Sequence, residues 1–195
     1  MSFVGSLKKR RSYYQISKNV KTDEKAIISL IQDVVANTPD AFNMQSTRII
    51  VLLNEKHNEL WDRVYDAFGG MVAREKTDSF KCGYGTILFF IDEATVKSYQ
   101  EQYSLYADKF PVWANQANGM VQSNLWVGLR ELGLGASLQH YNPVIDEAVQ
   151  SLTGADANWK LVAQMPFGAI ESEPEPVEKM DIEQRKIELN YEVGD

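Results

Sequence analysis

Arg10-Arg11-Ser12 sets two guanidinium groups and a hydroxyl in consecutive positions, just ahead of the first long stretch with helical periodicity. That is phosphate-binding chemistry. Arginine offers planar, paired donors that suit phosphate oxygens, and a serine hydroxyl adds one more donor at short range. Downstream, the segment Pro39-Asp40-Ala41-Phe42-Asn43-Met44-Gln45-Ser46-Thr47 places two side-chain amides, Asn43 and Gln45, in an irregular turn running into a strand. An amide both donates and accepts, as the polar edge of an amide-like heterocycle demands. A third group is Ser137-Leu138-Gln139-His140-Tyr141-Asn142-Pro143, where His140 follows a strand end between an amide and an aromatic ring. Its imidazole suits donation to a substrate oxygen, and it equally suits packing. His57, at a polar helix start, reads as surface, and Cys82 as an inert, semi-buried thiol.

Other chemistries lack their residues. One cysteine forms no intrachain disulfide, and two histidines build no His/Cys zinc site of usual spacing. Gly133-Leu134-Gly135 follows a helix and precedes a strand, the wrong context for a dinucleotide fingerprint, and no Ser-x-x-Lys, Gly-x-Ser-x-Gly or His-Glu-x-x-His occurs. The net charge of -7 argues against a nucleic-acid partner. No run approaches the ~18 to 20 apolar residues of a membrane span, and the N-terminal residues lack the apolar stretch of a signal peptide, so a cytoplasmic location is expected. Charge is unevenly spread. Residues 1–25 carry seven Lys/Arg against Asp23 and Glu24, a net of +5, whereas in residues 171–195 nine acids against three cations leave -6. Solvated chain ends account for such runs as well as a site does.

The elements that must position these groups follow from periodicity. Thr22 reads as an N-cap for a helix whose stripe is Ile27, Leu30, Ile31, Val34 and Val35. Thr47 to Leu53 and Tyr84 to Ile91 read as strands, and Leu60, Val64 and Phe68 as the stripe of a second helix ended by Gly69-Gly70. Tyr99, Tyr103, Tyr106 and Phe110 have helical spacing over Glu93 to Phe110 and read as packing residues. Ala114 to Leu132 is apolar on more than one face, as in a central helix, and ends at Gly133. Ala136 to Leu138 reads as a short strand, Pro143 to Leu152 as a short helix, Trp159 to Phe167 as a strand, and Pro174-Glu175-Pro176 as part of an extended arm. This order lacks regular strand–helix alternation, so an α+β sandwich fits better than a doubly wound fold.

On the Arg-Arg-Ser run, the Pro39/Asn43/Gln45 turn, the Leu132-Gly133-Leu134-Gly135 helix ending and the Met165-Pro166-Phe167-Gly168 strand ending, most of the chain resembles the FMN-dependent nitroreductase family. Gln139-His140-Tyr141-Asn142-Pro143 resembles a smaller subgroup that includes a fungal fatty-acid-responsive oxidoreductase and bacterial copper-induced nitroreductases. The resemblance implies that Arg10, Arg11, Ser12 and Lys179 bind the FMN phosphate. It implies Asn43 and Gln45 on the polar ring edge, and Gln139 and His140 on the reactive edge. Tyr14 stands where many members carry a basic residue, Asp40 replaces the usual Ser, and Lys179-Met180-Asp181 replaces Lys-x-Arg. It further implies a mainly antiparallel sheet packed by helices and one FMN-binding domain over residues 1–170. Residues 171–195 would form an arm exchanged in a homodimer. The expected activity is NAD(P)H-dependent reduction of a small nitroaromatic or quinone-like acceptor by a ping-pong mechanism. No catalytic acid or base is assigned beyond the candidate His140. A flavin-binding regulatory or stress-response protein with incidental turnover is the alternative.

Overall fold

In the computed structural model, which describes residues 3–185, the apolar run around Phe89 becomes a central strand, β3(Gly85–Asp92), buried along almost its whole length. Successive strand residues point to opposite faces, so Ile87 and Phe89 enter one core and Leu88 and Phe90 another. A strand covered on both sides has no polar face to show, which is why its sequence lacks alternation. It pairs antiparallel with β2(Thr47–Leu53) on one side and with β5(Trp159–Ile170) on the other. β5 also pairs antiparallel with β1(Ile16–Ser17) and β4(Leu134–Ala136). The strand order is β1-β5-β3-β2, with β4 joined to β5.

Helices cover both faces. The first core lies under α2(Glu24–Asn37) and α6(Phe110–Glu131), through Ile27, Ile31, Val121, Leu125 and Leu129. Gly128 permits this packing, since a Cβ there would lie 2.6 Å from Leu30 Cδ1. The second core lies under α3(Asn54–Ala67), α4(Arg74–Lys81) and α7(Asp146–Thr153), through Leu60, Trp61, Val64, Phe80 and Val149. The pairing of β3 with β5 slips at Phe89/Phe90, and the buried Asn118 of α6 donates to the Phe90 carbonyl there at 3.0 Å.

The α+β architecture, the mainly antiparallel sheet and the bounds of β2 agree with the sequence reading. Several local expectations need correction. The cap of α2 is Asp23, which accepts from the Lys25 amide at 3.1 Å, while Thr22 donates to the Leu132 carbonyl at 2.9 Å. Glu93 to Phe110 is not one helix: α5(Glu93–Gln102) stops, a 3-10 turn covers Ser104–Tyr106, and α6 restarts with Pro111 in its first turn. Between Asn142 and Asp146 the chain turns, so α7 begins three residues beyond Pro143. α4 gave no periodic signal because only Thr77 and Phe80 of its residues are buried. It is held instead by ion pairs from Arg74 and Lys81 to Asp62 of α3, each at 2.6 Å. The acidic residues 188, 192 and 195 of the arm lie outside the described residues.

Candidate functional site

After α1(Phe3–Lys9) the chain extends and lays Ser12 beside Ala136 of β4 in a parallel bridge, with the Tyr13 amide donating to the Ala136 carbonyl at 3.0 Å. Extended backbone alternates its side chains. Tyr13 is buried, while Ser12 is half-buried and Tyr14 exposed. Gly135 makes room for this: a Cβ there would lie 2.8 Å from the Tyr13 Cβ. The Arg10 guanidinium lies 4.3 Å from the centre of the Trp126 ring, and Trp126 Nε1 donates to the Ala136 carbonyl at 3.0 Å. Burial, and secondarily Arg11, hold the Arg10 pKa below its ordinary value. Arginine stays charged nonetheless, so this corner carries two adjacent cations.

The arm completes the corner. A cleft of about 700 Å³ is lined by Arg10, Arg11, Ser12, Tyr14 and Gln15 on one wall and by Ser172 to Glu175, Val177 and Lys179 on the other. Tyr13 Oη donates to Glu173 Oε2 at 2.9 Å and accepts from Arg130 Nε at 3.2 Å, and Arg11 Nη2 donates to the Glu175 carbonyl. All four predicted phosphate ligands, Arg10, Arg11, Ser12 and Lys179, thus line one cleft, with Tyr14 among them. Tyr13 and Arg130 bind the arm and were not foreseen; a buried phenol has no polarity signature that separates it from ordinary core aromatics.

Asn43 and Gln45 line a different cleft, of about 240 Å³, with Pro39, Asp40, Arg48 and residues of α2 and α6. Within one chain the two groups are therefore not brought together. The turn that carries them is strained: Phe42, Asn43 and Gln45 all have positive φ, at 56°, 54° and 53°. Two side chains hold it. Asp40 Oδ2 accepts from the Ser46 amide at 2.8 Å and from its hydroxyl at 2.7 Å. Arg48 Nη1 donates to the Gln45 carbonyl at 2.6 Å and the Thr47 carbonyl at 3.1 Å, and Nη2 to Asp92 Oδ2 at 2.8 Å. A lone charged residue in the strand Thr47–Leu53 was the available signal. Phe42 stacks on Trp113 at 5.8 Å and 21°, with Tyr103 and Phe110 beside it.

The third group is positioned by β5. Gln164, fully buried among apolar residues, accepts from the Tyr141 amide at 2.8 Å and donates to Asn142 Oδ1 at 3.2 Å, while its backbone pairs with Gln139. A single glutamine in Leu161–Phe167 was legible as a polar anchor and was missed. The Gln139 side chain is turned inward, donating to Ser137 Oγ at 3.0 Å, and His140 is exposed. Tyr14 lies close enough to Tyr141 to raise its pKa, after burial as the larger cause, which connects this loop to the Arg10 cleft. The two remaining expectations fail. His57 is fully buried and Cys82 is exposed. Among the described residues there is no cluster of metal-binding side chains, and no helix is long and apolar enough to cross a membrane.

Residues 7–169 match the profile of the nitroreductase family. The chain belongs to the nitroreductase family. Members are generally flavin-dependent oxidoreductases. The fold is similar to that of nitroreductase CinD from Lactococcus lactis, solved with chloramphenicol, at 44% identity and a TM-score of 0.92 over 97% of this chain and all of that one. A CinD complex with 4-nitrophenol gives 43% and 0.89 at the same coverage. Nitroreductase FRM2 of Saccharomyces cerevisiae is 30% identical over 179 residues, which cover 89% of this chain and 91% of that protein.

Proposed function

We propose that this nitroreductase-family protein is an NAD(P)H-dependent FMN oxidoreductase that reduces small nitroaromatic or quinone-like acceptors in a ping-pong cycle. The observation that carries the reading is the convergence of Arg10, Arg11, Ser12 and Lys179 on one cleft. Two guanidinium groups, an ammonium and a hydroxyl supply the donors a phosphate monoester takes, and with Glu173 and Glu175 also in the lining the cleft keeps a net positive charge. FMN, when bound, supplies the electron-carrying ring; the protein supplies binding, orientation and tuning. Arg10, Arg11, Ser12 and Lys179 would hold the phosphate, and Tyr14 would border the ring. Asn43 and Gln45 would meet its polar edge, and Gln139 and His140 the reactive edge. Gln139 would have to leave Ser137 to do so.

Because Asn43 and Gln45 line a separate cleft, the reading requires a homodimer in which each chain completes its partner's site, and the arm beyond residue 170 crosses to the partner. Phe3, Val4 and Leu7 of α1 and Val177, Met180 and Ile182 of the arm are exposed, an apolar surface suited to coverage by a second copy. In this reading residues 1–170 form one FMN-binding domain. The nitroaromatic compounds bound in the two CinD complexes, chloramphenicol and 4-nitrophenol, support the substrate class. The test is the visible spectrum of the purified dimer followed by anaerobic titration with NADH and NADPH. Bound FMN that bleaches with one nicotinamide and recovers with 4-nitrophenol or a quinone is expected; a colourless protein that takes up no FMN overturns the reading.

A further inference from the structure

The arm forms one wall of the Arg10 cleft, yet little holds it there. Ser172 to Asp181 form neither helix nor strand, and Pro174 and Pro176 have no amide to donate. Ahead of that stretch the Glu171 amide donates to the Gln15 carbonyl at 3.0 Å, and Ser17 Oγ donates to the Glu171 carboxylate, which anchors the arm where it leaves β5. From residue 172 to residue 179 the polar ties to the body, among the described residues, come from three side chains. Arg11 reaches the Glu175 carbonyl, and Tyr13 and Arg130 share Glu173.

The last two are prepared for that contact. Tyr13 is 2% exposed, so packing fixes its ring before the arm docks and little side-chain freedom is lost on docking. Its hydroxyl accepts from Arg130 Nε at 3.2 Å, which leaves the phenolic proton for Glu173 Oε2 at 2.9 Å. Arg130 Nη2 lies 4.0 Å from the other carboxylate oxygen, and the guanidinium carbon lies 5.6 Å from the centre of the Tyr13 ring. Arg130 sits in the last turn of α6 and is not part of the cleft lining, so its charge serves the arm. The consequence is electrostatic as well as mechanical. Glu173 lines the cleft and would repel an anion between the walls, and Tyr13 and Arg130 take up that carboxylate while the same arm brings Lys179 to the cleft.

We propose that Tyr13 and Arg130 latch the arm as a strap: by holding Glu173 they seat Lys179 on the cleft, and the strap lifts for a phosphate-bearing ligand to enter or leave. Both are positioning residues that act through Lys179, and the ligand's part in this rests on the phosphate reading of the Arg10 cleft.

Glu173 is mostly exposed, so the latch is worth a small factor. In the full-length protein without flavin, trypsin cleavage after Lys179, followed by mass spectrometry, reports the lifted strap. Tyr13→Phe, which keeps the buried ring, Arg130→Gln and Glu173→Ala should each speed it by about two- to fivefold. Tyr13→Phe combined with Glu173→Ala should be no faster than the faster of the two, because one bond is lost only once. An unchanged rate in any single variant overturns the latch. So do factors that multiply in the double variant, the result a purely structural loss at Tyr13 gives. Stopped-flow flavin fluorescence then reads the ligand: Tyr13→Phe should release FMN about two- to fivefold faster, and saturating FMN should slow the cut in the unmodified protein. Uptake of FMN with unchanged release in Tyr13→Phe, or with no protection of the cut, overturns the strap alone. A protein that takes up no FMN fails the phosphate reading and the strap's ligand with it, and the trypsin comparison still decides the latch.

Discussion

Arg10 stacks on Trp126 and Ser12 is bridged to β4, so truncating either side chain leaves the backbone path intact while removing a donor from the cleft. Arg10→Ala and Ser12→Ala should each weaken FMN binding by about 1.5 to 3 kcal/mol, or roughly 10- to 150-fold, as read by flavin fluorescence during titration. Unchanged affinity in both would remove the phosphate assignment. His140 is exposed in the single chain, so its imidazole is accessible there. His140→Ala should lower turnover per bound flavin by about ten- to a thousandfold with flavin content little changed. His57 behaves oppositely. Burial pulls its pKa from 6.5 to about 4, so the unfolded chain takes up its proton first. Stability from this group is complete above pH 6.5 and is lost as pH falls toward 4, by about 3 kcal/mol in all. Urea midpoints for the protein and for His57→Gln should converge across that window; a retained slope in the variant would place the pH sensitivity elsewhere.

At the scale of elements, the glycines of Gly133-Leu134-Gly135 have separate duties. Gly133 ends α6 with φ 81°, and Gly135 lets β4 approach Tyr13. Gly135→Ala should push the Arg10–Tyr13 segment off β4, costing about 1 to 3 kcal/mol in urea unfolding and weakening FMN binding in parallel. Stability lost with flavin affinity preserved would show that the segment reseats. The strained Phe42–Gln45 turn depends likewise on its neighbours, since Arg48 reaches it from β2 and Asp92 holds Arg48 from the end of β3. Two strands paired in register thus fix a loop whose own backbone preferences oppose its shape.

For the molecule as a whole, the arm is the decisive element. Its contacts with the body include Tyr13, Arg11 and Arg130 at the Arg10 cleft, and its Glu171 bonds Ser17 and the Gln15 carbonyl beside β1. A chain ending at residue 170 keeps every strand of the sheet and should fold, yet lose FMN and dimerise poorly by sedimentation. A truncated protein that remains dimeric and binds FMN normally would reduce the arm to a solvated tail.

Periodicity and composition determined a good deal of this protein by themselves. β2, β3, the stripe of α2 and the long span of α6 were legible because burying apolar side chains imposes the spacing of the element that buries them. The Arg-Arg-Ser run and the Asn43/Gln45 turn were legible because donor chemistry follows from residue type. Only the tertiary structure decided the rest. α4 carries too few buried residues for a period, and its ion pairs with α3 join residues distant in sequence. His57 reads as polar surface until Thr86 and Trp61 close around it. That Arg10 meets Lys179 while Asn43 faces another cleft is set by where the chain turns back, and spacing along the sequence carries no such distances.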